Sequence, residues 1–336
     1  MDKEEKEERI TLADGVRKRY EAANYGIVGN HSGVQICSWT KKALRGKGVC
    51  YKQKFYGVDC SRCCQMSPAL AWCQQNCAFC WRPMEWMRRI DMKESEADEP
   101  EAIIESCVGQ RKRLMNGIGG AHDVRRELFD LSFRPFPAHW AISLSGEPTI
   151  YPKLGKLVKA LRARKEVRSI FIVTNGQEPE RIKRMAKEGA LPTQLYVSLV
   201  ACDEGLFKKI NKPVYGDGWE RLNRTLGLLA NLDCRTVIRF TLIKGMNDSD
   251  DQLGRFAAML ERARSDFIEV KSYMYLGLSR ERLKMENMAF HEHIKERAEK
   301  LLSMMPGYGY EDEDARSRIV LLKRKDSEHA NIITKP

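Results

Sequence analysis

The chain has 336 residues, 43% of them apolar, which is enough for a substantial core in one large α/β domain or two smaller ones. No stretch approaches the roughly 20 uncharged apolar residues of a membrane span, and the charged start MDKEEKEERI excludes a secretory signal, so a cytoplasmic protein is expected. A net charge of +12 suits a polyanionic partner, although the basic clusters at Lys41, Lys42, Arg45 and Lys47, at Arg88 and Arg89, and at Arg111, Lys112 and Arg113 are equally explained as solvated faces.

The first thirty residues are polar and helix-prone, with no repeat. From 31 to 82, glycine, cysteine and aromatic residues displace regular periodicity, as in a segment shaped by a ligand. Short apolar runs follow at Pro68 to Trp72, His139 to Leu144, Ser169 to Val173, Gln194 to Leu199, Thr236 to Leu242 and Phe267 to Lys271, with a late one at Ile319 to Leu322. These read as strands buried on both faces. Helical patterns lie between them at Pro100 to Asn116, Tyr151 to Arg164, Glu178 to Lys187, Trp219 to Leu229, Ser249 to Arg262 and Asn287 to Met304. Such alternation predicts right-handed βαβ units and a parallel sheet, doubly wound or curved into a full or partial barrel.

Of eleven cysteines, eight (Cys37, Cys50, Cys60, Cys63, Cys64, Cys73, Cys77, Cys80) lie in the first quarter, while Cys107, Cys202 and Cys234 read as buried small hydrophobes. In a reducing compartment such clustering points to metal or redox chemistry rather than disulfides. Cys73, Cys77 and Cys80 have C-x3-C-x2-C spacing directly behind the first apolar run. Three thiolates can hold three irons of a cubane and leave the fourth open to a ligand. Zinc, which closes its tetrahedron with a fourth Cys or His, remains open on these residues alone, and the spacing departs from that of bacterial ferredoxins.

With this loop the chain resembles the radical S-adenosylmethionine superfamily. The resemblance implies a [4Fe-4S] cluster on Cys73, Cys77 and Cys80, whose open iron binds S-adenosylmethionine. One electron then releases a 5′-deoxyadenosyl radical that abstracts hydrogen. Ser145-Gly146-Glu147-Pro148, at the end of the second strand, looks like the superfamily's glycine-glutamate motif. Gly146 would admit the ligand to the backbone and Glu147 would accept from the methionyl ammonium. Asn175 and Ser198, at the carboxyl ends of the third and fourth strands, would contact the methionine or ribose part of the cofactor. A turn, a cap and a strand-end hydroxyl are the plain alternatives.

Cys37, Cys50 and Cys63 follow at equal spacing. The text around them, Val49-Cys50-Tyr51-Lys52, Phe55-Tyr56-Gly57 and Arg62-Cys63-Cys64-Gln65-Met66, resembles the tRNA 4-demethylwyosine synthase family, as do Trp72 to Arg82, Arg239 to Asn247, Leu276 to Arg280 and Ser317 to Leu322. The match runs from about residue 27 to 322. It implies a partial (βα)6 TIM-like barrel of the radical S-adenosylmethionine type with an N-terminal cysteine-rich extension. The expected division is 1–67 for the extension, 68–305 for the barrel and 306–336 for a C-terminal strand and tail.

The implied reaction is that of a lyase that joins N1-methylguanosine beside the anticodon of tRNA(Phe) with two carbons of pyruvate, forming the tricyclic 4-demethylwyosine of wyosine and wybutosine. By the same resemblance Cys37, Cys50 and Cys63 hold a second [4Fe-4S] cluster whose open iron could chelate pyruvate. Lys52 matches a family lysine assigned to a Schiff base with pyruvate, against the alternative of a surface or phosphate-binding lysine. Cys60 and Cys64 flank Cys63 and leave its assignment to context. Eukaryotic relatives carry a flavodoxin-like domain for which there is no room before residue 31, so an external electron donor such as flavodoxin or ferredoxin is expected, with a monomer and no membrane. A radical enzyme acting on another nucleic acid and a zinc-stabilised RNA-binding module are the competing readings.

Overall fold

The computed structural model describes residues 11–87 and 89–334. Arg88, named above in a basic cluster, and the first ten residues of the helix-prone stretch lie outside the described residues. Ten strands are described: β1 (Gly26–Val28), β2 (Ser32–Gln35), β3 (Cys63–Ser67), β4 (His139–Ile142), β5 (Ser169–Thr174), β6 (Gln194–Leu199), β7 (Arg235–Leu242), β8 (Phe267–Ser272), β9 (Tyr308–Asp314) and β10 (Ile319–Arg324). They form one sheet in the order β1-β2-β3-β4-β5-β6-β7-β8-β10-β9. β3 to β8 are parallel throughout, whereas β1-β2-β3 and β8-β10-β9 pair antiparallel. Helices between successive parallel strands, among them Pro100–Gly119, Leu154–Arg162, Pro179–Lys187, Gly218–Leu228 and Asp250–Ala263, complete a partial (βα)6 barrel.

Side-chain alternation separates two cores. On the outer face Trp140, Ile142, Ile172, Val197, Ile238 and Val270 pack against the helices. On the inner face Phe171, Tyr196, Val237, Phe267, Ile319 and Leu321 pack around Tyr51, Phe55 and Tyr56. The helix Tyr51–Tyr56 therefore plugs the barrel near the amino ends of its strands. The C-terminal tail covers that end, with Arg235 donating to Asn331 O at 2.9 Å and Ile333 N to Tyr56 O at 3.0 Å.

The first expected strand is displaced. Residues 63–67 form it, and Pro68 to Trp72 is a turn in which Ala69 N donates to Ser67 Oγ at 3.1 Å. Pro68 brings no backbone N–H to a ladder, and Ala69, Leu70 and Trp72 are buried as loop rather than strand. The barrel thus begins within the segment assigned above to the extension. Arg111 also departs from expectation: it is buried and donates to Cys63 O at 3.1 Å, Ser132 O at 2.8 Å and Ser61 O at 3.0 Å.

Candidate active site

The loop after β3 is pinned by backbone hydrogen bonds and by side chains, with Asn211 Nδ2 donating to Gln75 Oε1 at 3.1 Å and Arg282 Nε to Ala78 O at 3.3 Å. Cys73 N donates to Arg89 O at 3.1 Å, Asn76 N to Asn211 O at 3.1 Å and Ala78 N to Ile210 O at 2.8 Å. Its three thiols feel one another's charge, and burial pushes Cys73 up to about 12, with Cys77 and Cys80 also raised. Bare thiols here stay protonated, and a bound cationic metal reverses that preference. Asn211 Nδ2 lies 3.8 Å from Cys77 Sγ and Asn175 Nδ2 lies 3.8 Å from Cys73 Sγ. A pocket of about 550 Å³ opens beside Cys73, lined also by Asn76, Met84, Met87 and Val214. Among the described residues no three His, Cys, Asp or Glu side chains close around a point as a single ion requires. A cubane spreads its thiolates over three separate irons and asks for a wider arrangement.

The glycine-glutamate turn after β4 docks on this loop. Gly146 has φ +68°, and a Cβ there would lie 1.9 Å from Ala69 O and 2.7 Å from Trp72 O. What needs the bare Cα is backbone rather than a ligand, which corrects the expected reason for this glycine. Glu147 N donates to Trp72 O at 2.7 Å. The Glu147 carboxylate is buried and held by four donors: Thr149 N at 3.0 Å, Thr149 Oγ1 at 2.6 Å and Thr174 Oγ1 at 2.7 Å on Oε1, and Asn175 N at 2.7 Å on Oε2. It ties the ends of β4 and β5 together, and Oε2 keeps one lone pair for a further donor. Asn175 sits beside Cys73, and Ser198 lies on the inner face of β6, two residues beyond Tyr196.

The upstream cysteines also converge. Cys37 and Cys50 precede the helices Ser38–Leu44 and Tyr51–Tyr56, and Cys63 opens β3. Cys63 feels the charges of Cys37 and Cys50, and burial pushes Cys50 up to about 12. Alternation along β3 turns Cys63 toward Lys52 and sends Cys64 to the outer core with Cys107. Cys60 is buried, its backbone N donating to Gln53 Oε1 at 3.3 Å.

Between the triads stands Arg82, only 6% exposed, within the fields of both Cys80 and Cys37. One of its nitrogens donates to Tyr25 Oη at 2.5 Å and Gln35 Oε1 at 2.9 Å, but among the described residues it has no carboxylate partner, and Nε and Nη2 have no hydrogen-bond partner. A buried cation without its counter-charge is costly, and a thiolate-bound cluster supplies negative charge on either side. Thiols in two threes with this guanidinium between them fit iron-sulfur binding.

Inside the barrel, Lys52 Nζ lies 4.3 Å from the Phe171 ring and 4.2 Å from the Tyr196 ring. Burial, with Arg239 nearby, pulls its pKa down to about 8. Arg239, Glu269 and Lys271 share this lumen. They escaped notice as site residues because they sit in strands read as plain apolar runs. The overlooked signal is Phe267, Glu269 and Lys271 at period two, which puts charge on the inner face of a buried strand.

The model of the radical SAM superfamily matches residues 68–257, and that for wyosine base formation matches residues 262–324. The S-adenosyl-L-methionine-dependent tRNA 4-demethylwyosine synthase of Pyrococcus abyssi is 45% identical, over 94% of this chain and 90% of its own length. The chain belongs to the tRNA 4-demethylwyosine synthase family. The Methanocaldococcus jannaschii member of that family is 39% identical, over 94% of this chain and 97% of its own. A solved structure of TYW1 with a lysine-pyruvate adduct bound superposes with TM-score 0.82 at 35% identity, covering 94% of this chain and 98% of that one. Archaeal TYW1 superposes at 0.76 and 33%, covering 96% and 100%. As a synthase of this family the chain is a radical S-adenosylmethionine enzyme, which uses that cofactor and a [4Fe-4S] cluster. No helix among the described residues is long and apolar enough to cross a membrane.

Proposed function

We propose that the chain converts N1-methylguanosine in tRNA(Phe), with pyruvate, into 4-demethylwyosine, using a cluster on Cys73, Cys77 and Cys80, a second [4Fe-4S] cluster on Cys37, Cys50 and Cys63, and Lys52 as the amine that takes the keto acid. The observation that carries this reading is Lys52 itself. It is an amine with no ion-pair partner among the described residues, its pKa lowered by burial, set on two aromatic rings within the fields of Cys50 and Cys63. A neutral amine can add to the ketone carbon of pyruvate, and loss of one water leaves a protonated imine. The adduct named for the solved TYW1 structure agrees with that role.

When bound, the first cluster and S-adenosylmethionine supply the hydrogen-abstracting radical. The chain's own residues orient and exclude water: Asn175 and Ser198 border the cofactor, Oε2 of Glu147 is the acceptor left for its ammonium, and Gly146 locks the loop that presents the thiols. The enzyme works in the cytoplasm as a monomer, with electrons from an external flavodoxin or ferredoxin. In this reading Cys37 and Cys50 precede the barrel, Cys63 opens its first strand, the radical site lies at the carboxyl edge, and a closing strand and tail follow residue 305.

Replacing Lys52 by Ala separates the two halves of the reaction. Reductive cleavage of S-adenosylmethionine to 5′-deoxyadenosine is expected to persist while the tricyclic base falls below about 1% of wild type, the scale of losing a nucleophile. Full base formation by this variant would refute the assignment, and loss of both products together would give Lys52 a structural part instead.

A further inference from the structure

Glu269 is fully buried and its carboxylate is spoken for. Oε2 accepts from Arg239 Nε at 3.0 Å and Tyr51 Oη at 3.0 Å, and Oε1 accepts from Tyr56 Oη at 3.0 Å. Arg239 also donates to Tyr51 Oη at 2.7 Å. This closed group neutralises Arg239 and leaves Glu269 little capacity for another cation.

Lys271 stands two residues further along β8, on the same inner face. Its Nζ lies 5.5 Å from the Tyr51 ring and donates to Ser317 O at 2.5 Å. An ammonium has three donors, so two remain. Neither Lys271 nor Lys52 makes an ion pair among the described residues, and both respond to the Arg239–Glu269 pair and to Cys50. Both are half-buried rather than sealed in the core. Asp314 also acts on Lys271 but forms no ion pair with it among the described residues, and Glu269 is clamped on Arg239, so the two ammonium groups stay unpaired, an environment that draws in a small anion.

We propose that Lys271 holds the carboxylate of the α-keto acid while Lys52 receives its ketone carbon. The inference rests on the Schiff-base reading of Lys52 and deepens it. The substrate is selected as an anion with a ketone next to its carboxylate, and a neutral ketone loses the second contact. In the covalent step the Lys52 nitrogen adds to the ketone carbon, one proton is taken up and one water leaves, forming C=N. No electron is transferred.

The test traps that imine with cyanoborohydride, whose hydride reduces C=N to a stable secondary amine read by intact-protein mass spectrometry. It uses cluster-reconstituted protein without tRNA, with pyruvate and its neutral methyl ester as probes. For Lys271→Met, half-maximal trapping should need about tenfold or more pyruvate, with the same ceiling at saturation. Lys271→Arg should stay near wild type, and methyl pyruvate should label wild type and Lys271→Met alike. Wild-type concentration dependence in Lys271→Met would overturn the proposal. So would equal loss with pyruvate and its ester, or failure of the Arg variant with both probes, because each assigns Lys271 to structure. Absence of trapping in wild type, or trapping that survives Lys52→Ala, would instead sink the Lys52 reading, and this inference with it.

Discussion

Gly146 stands where the glycine-glutamate turn presses on the three-cysteine loop, and its left-handed backbone leaves a Cβ no room against Ala69 O and Trp72 O. Gly146→Ala should therefore cost about 1–3 kcal/mol and lower the iron bound per protein after anaerobic reconstitution, measured by thermal melts and iron analysis. A variant with wild-type stability and iron content would contradict the interlocking of the two loops. The residue types in Ser145-Gly146-Glu147-Pro148 showed that something approaches closely, but only the fold shows that it is backbone. For the second triad, context in the sequence favoured Cys63 over its neighbours, and strand alternation explains why, since adjacent residues of β3 must face opposite sides. Lys271 stayed hidden because it ends an apolar run and its neighbours across the lumen come from β7 and the Tyr51–Tyr56 helix.

At the scale of elements, two ties that hold the site are open to measurement. The turn between β3 and the cysteine loop hangs on His31, whose Nδ1 donates to Pro68 O at 2.6 Å and whose Nε2 accepts from Asp98 N at 2.9 Å. Burial outweighs the nearby Asp98 and lowers its pKa, with Lys153 acting in the same direction. The folded state thus binds fewer protons than the unfolded state below the ordinary value of about 6.5. The stabilisation is complete above that pH and is lost as pH falls through it. Melting temperature should drop between pH 7 and 5, with a smaller drop in His31→Gln, and equal slopes would contradict this.

In β8, Glu269→Ala should destabilise by about 3–5 kcal/mol, because it strands Arg239 and two tyrosines in the lumen. Urea unfolding reads this directly, and a loss below 1 kcal/mol would show that water replaces the carboxylate. The parallel strands β4 to β8 were legible as apolar runs. β1 and β2 were not, being three and four residues long, nor was β9, whose YGYEDED is mostly half-buried at the sheet edge and carries no apolar alternation to detect.

Across the molecule the residues of the radical half of the site collect at one end. The cysteine loop follows β3, the glycine-glutamate turn follows β4, Asn175 follows β5 and Ser198 nears the end of β6, all at the carboxyl edge where ligands meet parallel sheets. The amino ends are filled by the Tyr51–Tyr56 helix and the C-terminal tail. A tRNA base entering from the carboxyl edge would have to leave its stack to reach this depth, and the net charge of +12 favours the approach of its phosphates.

The most direct test of the whole account is to incubate anaerobically reconstituted protein with S-adenosylmethionine, a low-potential reductant, pyruvate and tRNA(Phe) bearing N1-methylguanosine, and to digest the tRNA for nucleoside mass spectrometry. The account predicts the tricyclic nucleoside together with 5′-deoxyadenosine, both abolished in Cys77→Ala. Iron-loaded wild-type protein that cleaves S-adenosylmethionine yet leaves the methylguanosine untouched at saturating pyruvate would contradict it.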